Sequence, residues 1–364
     1  MRLGTCIALE LAVAAGAIGG VWFGVGRAGE LADEYFTTQS AAAASATPEP
    51  PRPQARPLPA ATLEVAHPPV EEPVTTVFGA PDEQLLAPIA ATPLKSAKLN
   101  RGGTSLTMRL EFASGARASF KPEQTFPQSD PRREIAAHRM DRLLRIGHVP
   151  PVKVIKVATR DLYMSALPDY KGYTMDRIEE EGVQRQGFLH GSASWWIPEI
   201  VNARLGPFQI DEPHGRAIWQ QHLQVGAKIP AGVRSFVEQI ATCIVFDVLI
   251  DNGDRWSGNN TQMSPDGKTL YFMDNTLSFS IARIGSPLAV DALQRIQVFP
   301  RGLVRRAREL TKERIVFALG TGDGLGRLLG DVEINAILAR RDFLVGYVDG
   351  LISKHGEDAV LVFP

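Results

Sequence analysis

The chain has 364 residues, of which 44% are hydrophobic and 22% are charged, so it can bury a sizeable core in one large or two ordinary domains. Its formal net charge is −1 and it has no long basic block, which argues against a generic electrostatic nucleic-acid binder, and we expect no nucleic-acid partner. The two cysteines, Cys6 and Cys243, lie far apart, which excludes a disulfide framework and a cysteine-based zinc site.

An apolar stretch, residues 3–26, follows Met1 and Arg2 directly. It is long enough to span a bilayer, so residues 1–30 are predicted to be a signal-anchor or a signal peptide. Acidic residues follow Arg27 closely, and the positive-inside rule then favours a location of the remainder outside the cytoplasm. We therefore expect a membrane-anchored or exported chain, with the N-terminal segment as its membrane contact and the main domain in a periplasm or a secretory lumen.

Residues 31–97 are unusually rich in proline and alanine. Such a composition buries little surface and lacks donors for regular ladders, so it predicts a disordered, semi-extended linker. The pattern becomes globular from about residue 98 and stays so to the end of the chain.

Residues from about 98 to 170 show strand and helix periodicities that predict a small β-rich N-terminal lobe with one main helix. Apolar and polar residues alternate in the first of these segments, as they do in a half-buried strand; the apolar residues are Leu106, Met108, Leu110 and Phe112. The predicted elements are a hairpin of Ser105–Phe112 and Ala116–Lys121, a helix over Arg132–Ile146, and two strands, Val152–Val157 and Asp161–Leu167.

Residues from about 171 to 364 are predicted to form a mostly helical C-terminal lobe, so the fold class is α+β. The helices are expected near 215–225, 234–250, 300–319 and 331–353. Cys243 lies in an apolar run and is interpreted as a core residue. Trp195 and Trp196 are interpreted as packing residues, with stacking on a sugar as the alternative.

A polar loop follows the apolar helix that ends near Ile250, and it carries the acidic residue Asp254. A hairpin signal and a short strand, Thr269–Met273, then lead to Asp274. Phosphoryl transfer needs one carboxylate to accept the proton of the attacking hydroxyl, and an amide and a second carboxylate to hold divalent cations. Asp254 and Asn259 have the D-x-x-x-x-N spacing that suits the base and the amide ligand, and Asp274 suits the metal-binding carboxylate. The alternative is a polar turn that only caps the helix.

The N-terminal lobe contains the other parts that such a site needs. Gly102 and Gly103 precede the first strand of the hairpin, where a loop that covers phosphates would lie. Lys121 ends the second strand and Glu134 follows at the start of a helix; such a pair positions nucleotide phosphates in kinases. A strand lysine is usually just solvated and an early glutamate also suits the helix dipole. All these features in the right order on the right elements favour the kinase interpretation.

Several segments resemble the secretory-pathway kinases of the Golgi casein kinase type, including the glycosaminoglycan xylosyl kinase branch. The matches follow the family's order from about residue 99 to 310. They are Phe120-Lys121-Pro122, the helix Glu134–Leu144 (E-I-A-A-x-x-x-D-R-L-L), Val149-Pro150-Pro151-Val152, Gly191–Pro198 (G-S-x-x-x-W-x-P), Phe246–Arg255 and Asp274–Phe279.

This resemblance implies a two-lobed, protein-kinase-like fold and an enzyme that uses ATP with Mn²⁺ or Mg²⁺. It implies transfer to a hydroxyl of a protein or glycan acceptor. By the same resemblance, Lys121 holds phosphates, Glu134 binds the lysine or a metal, Asp254 is the base and Asp274 ligates the metal.

The chain departs from this family directly after Asp254-Arg255. Trp256, Ser257 and Asn259 stand where the family commonly has two histidines and a glutamate, and the family's disulfide cysteines are absent. Asn259 instead resembles the metal-ligating asparagine of HipA-type and phosphoinositide kinases. Three alternatives stay open: a nucleotide-binding pseudokinase scaffold, a purely structural membrane-tethered domain, and a lipid-kinase-like enzyme.

Overall fold

Two separate hydrophobic cores organise the part of the chain that the computed structural model describes, residues 74–100, 104–168 and 171–364. The smaller core lies against a β-sheet, and the larger one lies among the C-terminal helices. Residues of both cores belong to one compact unit, Val70–Pro364. The fold is therefore α+β with a β-rich N-terminal lobe and a mostly helical C-terminal lobe, as the sequence predicts.

The N-terminal lobe is built on one sheet, in the order β1-β2-β3-β6-β4, with the short β5 paired to β6. The predicted alternation is confirmed, because Leu106, Met108, Leu110 and Phe112 are all buried. The elements of this lobe are α1 (Asp82–Leu86), β1 (Leu94–Leu99), β2 (Met108–Phe112), β3 (Arg117–Pro122), α2 (Pro131–Leu143), β4 (Val152–Ala158), α3 (Thr159–Ser165), α4 (Lys171–Glu181), β5 (Gln184–Arg185) and β6 (Phe188–Trp195).

Helix α2 connects the two lobes. It begins where the side chain of Asp130 accepts a hydrogen bond from the main-chain nitrogen of Arg132 at 2.9 Å, and Pro131 occupies the first turn, where no internal partner for its nitrogen is needed. Its buried residues Ile135 and Met140 belong to the larger core, with the C-terminal helices. The helix that carries Glu134 is thus packed on the C-terminal lobe.

Three predicted boundaries are wrong. The prediction of a strand over residues 161–167 is wrong, because α3 covers most of them: as a helix the segment buries Leu162 in the smaller core, and its end at Ala166 forms a single-residue bridge to Ala97 of β1. The N-terminal lobe extends past residue 170, because β6 pairs with both β3 and β4. The linker does not extend to residue 97, because α1 and β1 lie within its predicted range and β1 pairs with β2.

The C-terminal lobe is mostly helical, with five very short strands in a three-stranded sheet and a two-stranded sheet. The predicted helix over 300–319 is two helices, because Thr311 caps a new start by accepting from the main-chain nitrogen of Arg314. The elements are β7 (Val201–Asn202), β8 (Arg204–Leu205), β9 (Phe208–Gln209), α5 (Pro213–His222), α6 (Ala231–Ile250), β10 (Gln262–Met263), β11 (Leu270–Tyr271), α7 (Pro287–Gln294), α8 (Arg301–Arg308), α9 (Lys312–Leu319), α10 (Asp331–His355) and α11 (Glu357–Val360).

The predicted N-terminal signal-anchor or signal peptide, residues 1–30, lies outside the described residues, as does the linker up to residue 73. In the described ranges, no helix is both long enough and apolar enough to cross a bilayer. Cys243 is fully buried in α6, as the sequence predicts.

Candidate active site

Lys121 joins three elements of the site through its ammonium group. Its side chain leaves β3 only 10% exposed, and Nζ lies 2.7 Å from Oε1 of Glu134 on α2. The same nitrogen lies 2.6 Å from Oδ1 of Asp274, just after β11 in the C-terminal lobe. The structure therefore brings together three of the predicted site residues, across the boundary between the two lobes.

The opposite charges in this cluster stabilise the ionised forms of Lys121 and Asp274. Burial by itself lowers the pKa of Lys121, but the carboxylates of Asp274 and Glu134 outweigh burial and raise the pKa above its ordinary value. The ammonium of Lys121 in turn lowers the pKa of Asp274. Lys121 stays a cation and Asp274 an anion at neutral pH.

Asp274 is accessible as well as paired. Its side chain is 70% exposed, and its backbone is left-handed with φ 55°. Among the described residues, the hydrogen bonds to its carboxylate come from Lys121 and from Thr276 Oγ1 at 3.1 Å, and both use Oδ1. Within that part of the chain, Oδ2 is therefore available to a further ligand.

The loop that carries Asp254 is bound to the Asp274 segment on both of its sides. Helix α6 ends at Asp251, whose left-handed backbone (φ 59°) turns the chain into this loop. Asn252 Nδ2 donates to the main-chain oxygen of Asp274 at 3.2 Å. Arg255 Nη1 donates to the main-chain oxygen of Met273 at 2.6 Å. Asp254 stands between these two attachment points, which fixes the loop against the Asp274 segment.

A buried ion pair also stabilises the loop that carries Asp254. Arg255 Nε lies 3.0 and 2.9 Å from the two carboxylate oxygens of Asp247, and Trp256 Nε1 donates to Asp247 at 3.0 Å. Burial raises the pKa of Asp247, and the neighbouring guanidinium opposes that rise. Arg255 Nη2 also donates to Oδ1 of Asn275 at 2.7 Å. Hydrogen bonds thus link Asp247, Arg255 and Trp256 to each other and to Asn275, and they hold together the segment that resembles the family's catalytic signature.

Asp254 itself begins a short 3₁₀ turn, Asp254–Trp256. Its Oδ1 accepts a hydrogen bond from Ser257 Oγ at 3.1 Å. It lines a cavity of about 560 Å³, together with residues that follow Asp274 in the chain. We call this the second cavity.

Asn259 does not reach the other predicted ligands by any hydrogen bond in the described part of the chain. Its Oδ1 accepts from Gln209 Nε2 at 3.2 Å, and its backbone is left-handed with φ 61°. Across the described residues, no group of three or more His, Cys, Asp or Glu side chains is placed to hold a metal. A complete protein-built metal cage is therefore not formed there.

A cavity of about 310 Å³ lies between the lobes and contains the Lys121 cluster, and we call it the cleft. Gly102 and Gly103 lie outside the described residues, but Asn100 and Ser105 on either side of them line the cleft. The apolar surface of the cleft comes from Pro150, Val152, Trp195, Trp196, Ile197 and Ile200.

Sequence reasoning missed two parts of this arrangement. Trp195 and Trp196 line the cleft rather than only packing in the core, and the signal was their place at the end of the strand next to the one that carries Lys121. Asp211 is buried and accepts from the main-chain nitrogens of Asn260 at 2.9 Å and Thr261 at 3.2 Å, which holds the loop after Asn259. Nothing in the local sequence pattern identifies Asp211.

The two lobes and the cleft between them form a protein-kinase-like fold. Neither a family model nor a curated protein sequence matches this chain. Solved structures do match. A structure of the Golgi casein kinase is 14% identical with a TM-score of 0.57, covering 76% of this chain and 77% of that chain.

Two further structures agree with that match. The Golgi casein kinase with Mn/ADP bound is 15% identical with a TM-score of 0.57, covering 77% of this chain and 78% of that chain. The Fam20 protein of hydra with sugar is 15% identical with a TM-score of 0.56, covering 76% of this chain and 90% of that chain. The predicted two-lobed kinase-like fold is therefore confirmed, and the resemblance that the motifs indicate extends to the fold.

Proposed function

We propose that this chain is an ATP-dependent kinase that transfers the γ-phosphoryl group to a Ser/Thr or sugar hydroxyl with the assistance of Mn²⁺ or Mg²⁺. The observation that carries the proposal is the position of Lys121 between Glu134 and Asp274 at the cleft, at 2.7 and 2.6 Å. A cation held in this way between a helix and the opposite lobe is suited to phosphate oxygens. The kinase-like fold supports the same proposal.

The donor set fits a hard divalent cation that the substrate helps to bind. Such cations prefer oxygen ligands, and Mg²⁺ is usually held by one or two carboxylates together with substrate phosphates. Asp274 offers a free carboxylate oxygen, and Asn259 offers an amide oxygen that would have to leave Gln209. When bound, the metal neutralises charge on the phosphates. The Golgi casein kinase structure with Mn/ADP bound makes ATP and Mn²⁺ the first choice to test.

Asp254 is assigned the role of base. Its carboxylate accepts the proton of the acceptor hydroxyl while the acceptor oxygen forms a bond to the γ-phosphorus. The bond between that phosphorus and the bridging oxygen breaks, and ADP leaves with the electron pair. Ser257 Oγ, at 3.1 Å, orients the carboxylate, and Asn252 and Arg255 hold the loop. Lys121 holds the phosphates, and Glu134 fixes Lys121.

The test compares Asp254→Asn and Asp254→Ala with Asp291→Asn, a control at an exposed surface pair with Arg295. Purified proteins with matching thermal unfolding are given γ-labelled ATP, Mn²⁺ or Mg²⁺, and a panel of peptide, glycan and lipid acceptors. We expect at least about a 100-fold loss of transfer in both Asp254 variants and none in the control. Undiminished ATP consumption by Asp254→Ala would overturn the assignment.

A second experiment addresses the metal. Asp274→Asn is expected to abolish transfer, and Asn259→Ala to raise the concentration of Mn²⁺ needed for half-maximal transfer. Gln209→Ala serves as the matched variant, because it frees the Asn259 amide that Gln209 now binds. An unchanged metal requirement in Asn259→Ala would remove this residue from the proposed metal site.

A nucleotide-binding pseudokinase is the second candidate. Asn259 binds Gln209, and in the described ranges no group of three or more His, Cys, Asp or Glu side chains is placed to hold a metal; both observations favour it over the active kinase, because transfer needs that metal. A thermal shift with ATP and Mn²⁺ but no autophosphorylation and no transfer to any acceptor would identify it.

The proposed partners are a protein or glycan acceptor, a membrane reached through the N-terminal segment, and no nucleic acid. The proposed location of the catalytic domain is extracytoplasmic, in a periplasm or a secretory lumen. ATP is available in a secretory lumen and scarce in a periplasm, so location and phosphate donor have to be tested together. Reporter fusions at each end of the chain measure the topology directly.

A further inference from the structure

A segment that precedes the first strand packs against both lobes. We call residues 75–86 the strap; its last part is the short helix α1. The main-chain nitrogen of Val77 donates to the main-chain oxygen of Gly147, in the loop after α2, at 3.1 Å. A methyl group at Gly147 would overlap the main-chain oxygen of Thr75, so the strap packs directly on that loop.

Helix α1 fixes the other end of the strap. The carboxylate of Asp82 accepts from Arg142 Nε at 2.7 Å and from Arg142 Nη2 at 3.0 Å, and it lies 2.9 Å from His138 Nε2. Both partners belong to α2. The main-chain oxygen of Leu86 accepts from Lys153 Nζ on β4 at 3.0 Å. The strap is therefore held at both of its ends, which gives the residues between them a defined position.

Phe78, in the middle of the strap, contacts one aromatic ring from each lobe. Its ring meets that of Trp195 edge-on, with centroids 5.9 Å apart and planes at 68°. It stacks on Tyr271 with centroids 5.9 Å apart and planes at 20°. Trp195 ends β6 in the N-terminal lobe, and Tyr271 ends β11, shortly before Asp274 in the C-terminal lobe.

The contact between Phe78 and Trp195 links the strap to the cleft. Trp195 lines the cleft, whereas Phe78 is not one of the described residues that line it. Edge-to-face aromatic pairs are stabilising and favour one relative orientation of the two rings. A side chain that is already held in its binding orientation loses less conformational freedom when a ligand arrives. Phe78 is therefore placed to change the affinity of the cleft for a ligand that Trp195 contacts.

We propose that Phe78 is a positioning residue for the nucleotide, because it holds the Trp195 ring in the orientation in which that ring packs on the base of ATP. This inference rests on the proposed kinase function. Aromatic rings are suited to a planar base, as Lys121 is to the phosphates. Phe78 itself does not touch the nucleotide. Leucine at this position would fill similar space without a ring, and the Trp195 ring would have to be ordered when the nucleotide binds.

The experiment compares Phe78→Leu and Phe78→Tyr with Phe317→Leu in the full chain. Phe317 is 73% exposed on α9 and lines neither the cleft nor the second cavity, so it controls for the same chemical change. Titration calorimetry measures the Kd for ADP with Mn²⁺, and the transfer assay measures kcat and KM for ATP. All variants are assayed well below their measured unfolding temperatures.

We expect Phe78→Leu to raise the Kd for ADP and the KM for ATP by about threefold to tenfold, as the loss of one aromatic pair does. The kcat should stay within about twofold of the parent value, because the variant changes binding rather than the chemical step. Phe78→Tyr keeps the ring and should restore the parent Kd. Phe317→Leu should leave both constants unchanged.

A double variant shows whether Phe78 acts through Trp195. Trp195→Leu alone is expected to raise the Kd for ADP. If Phe78 acts only by holding the Trp195 ring, adding Phe78→Leu to that variant should change the Kd by less than about twofold, since coupled residues are not additive. A general loss of structure would instead add its full effect to that of Trp195→Leu.

The possible outcomes separate this inference from the kinase proposal. An unchanged Kd in Phe78→Leu, or additive effects in the double variant, would overturn the inference and leave the kinase proposal standing. A lower kcat with an unchanged KM would also overturn it, because Phe78 would then act on Asp274 through Tyr271. Nucleotide binding without transfer would reject the kinase proposal alone, and the Kd values would still decide the role of Phe78. A parent chain that binds no nucleotide would reject both.

Discussion

Gly191 lies so close to Lys121 that a methyl group at Gly191 would lie 2.2 Å from the main-chain oxygen of Lys121. The contact joins β6 to β3, the strand that presents the ammonium to Glu134 and Asp274. The atoms in the way are main-chain atoms, including Cα of Pro122 at 2.6 Å, so no side chain can move aside. The position of the cleft lysine thus depends on a neighbouring residue without a side chain.

Gly191→Ala is therefore expected to separate β3 from β6 locally. We predict a loss of about 1–3 kcal/mol in the free energy of unfolding, the range of an overpacked core, and a weaker thermal shift with ATP. Urea unfolding measures the first effect. Gly346→Ala in helix α10 is the matched control: nothing lies within 4 Å of the added methyl, and alanine should stabilise this helix by up to about 1 kcal/mol. Equal stability changes in the two variants would contradict this account.

The Lys121 cluster yields a second prediction. Lys121→Met keeps the length of the side chain and removes its charge, so Glu134, only 6% exposed, loses its cation. We expect transfer to fall at least about 100-fold, as when one preorganised charge is removed from an active site, and the ATP-dependent thermal shift to disappear.

Lys95→Met is the control for this variant, because Lys95 pairs with Glu111 on the exposed side of the same sheet. An exposed pair of that kind contributes at most about 1 kcal/mol and does not touch the cleft. A Lys121→Met protein that binds ATP with the affinity of the parent chain would show that the lysine has no role in nucleotide binding.

The sequence predicts the parts of the site that depend on local pattern. Lys121 lies at the end of β3, Glu134 in the first turn of α2 and Asp274 shortly after β11, and their order along the chain is enough to expect them in one cleft. The contact of Asn259 depends instead on Gln209, 50 residues earlier, in a two-residue strand that has no periodicity to detect.

Tertiary packing explains the other differences. The segment 161–167 has strand-like residues, but as the helix α3 it buries Leu162 in the smaller core, and its end at Ala166 meets the edge strand β1 by one bridge. The role of Trp195 and Trp196 depends on which strand lies next to β3, and that order follows from the whole sheet rather than from any one segment.

Arg255 yields a third prediction. Its guanidinium binds Asp247, Met273 and Asn275 in different directions, and its side chain is 1% exposed. Lysine cannot reproduce this planar set of donors, so Arg255→Lys leaves the buried carboxylate incompletely paired. We expect a loss of about 3 kcal/mol in unfolding free energy and at least a tenfold loss of transfer.

The control for this variant is Arg295→Lys. Arg295 follows helix α7 and forms an exposed ion pair with Asp291 of that helix, so the free energy of unfolding should change by less than about 1 kcal/mol. Urea unfolding and the transfer assay are run on both. If Arg255→Lys unfolds at the same urea midpoint as the parent chain, the ion pair of Asp247 and Arg255 does not stabilise the loop that carries Asp254.

The last prediction concerns pH and His148. Its Nδ1 lies 2.6 Å from the main-chain oxygen of Leu270, and its ring stacks on Phe272 with centroids 5.0 Å apart. Burial lowers the pKa of His148 below its usual 6.5, and Arg142 adds to that effect, while the bond to Leu270 opposes it. The unfolded chain then binds this proton more readily than the folded chain. The stability contributed by neutral His148 is thus complete above pH 6.5 and is lost as pH falls towards the folded pKa.

His148→Gln removes this titration, so its destabilising effect should be largest near pH 8 and should shrink as pH falls to 5, with a slope of at most about 1.4 kcal/mol per pH unit. The difference between variant and parent isolates His148, because other buried groups, such as His138 with its lowered pKa and Asp141 with its raised pKa, are common to both proteins. Urea unfolding at five pH values measures that difference. A difference that stays constant, or that grows as the solution becomes more acidic, would show that His148 is not held neutral by the fold.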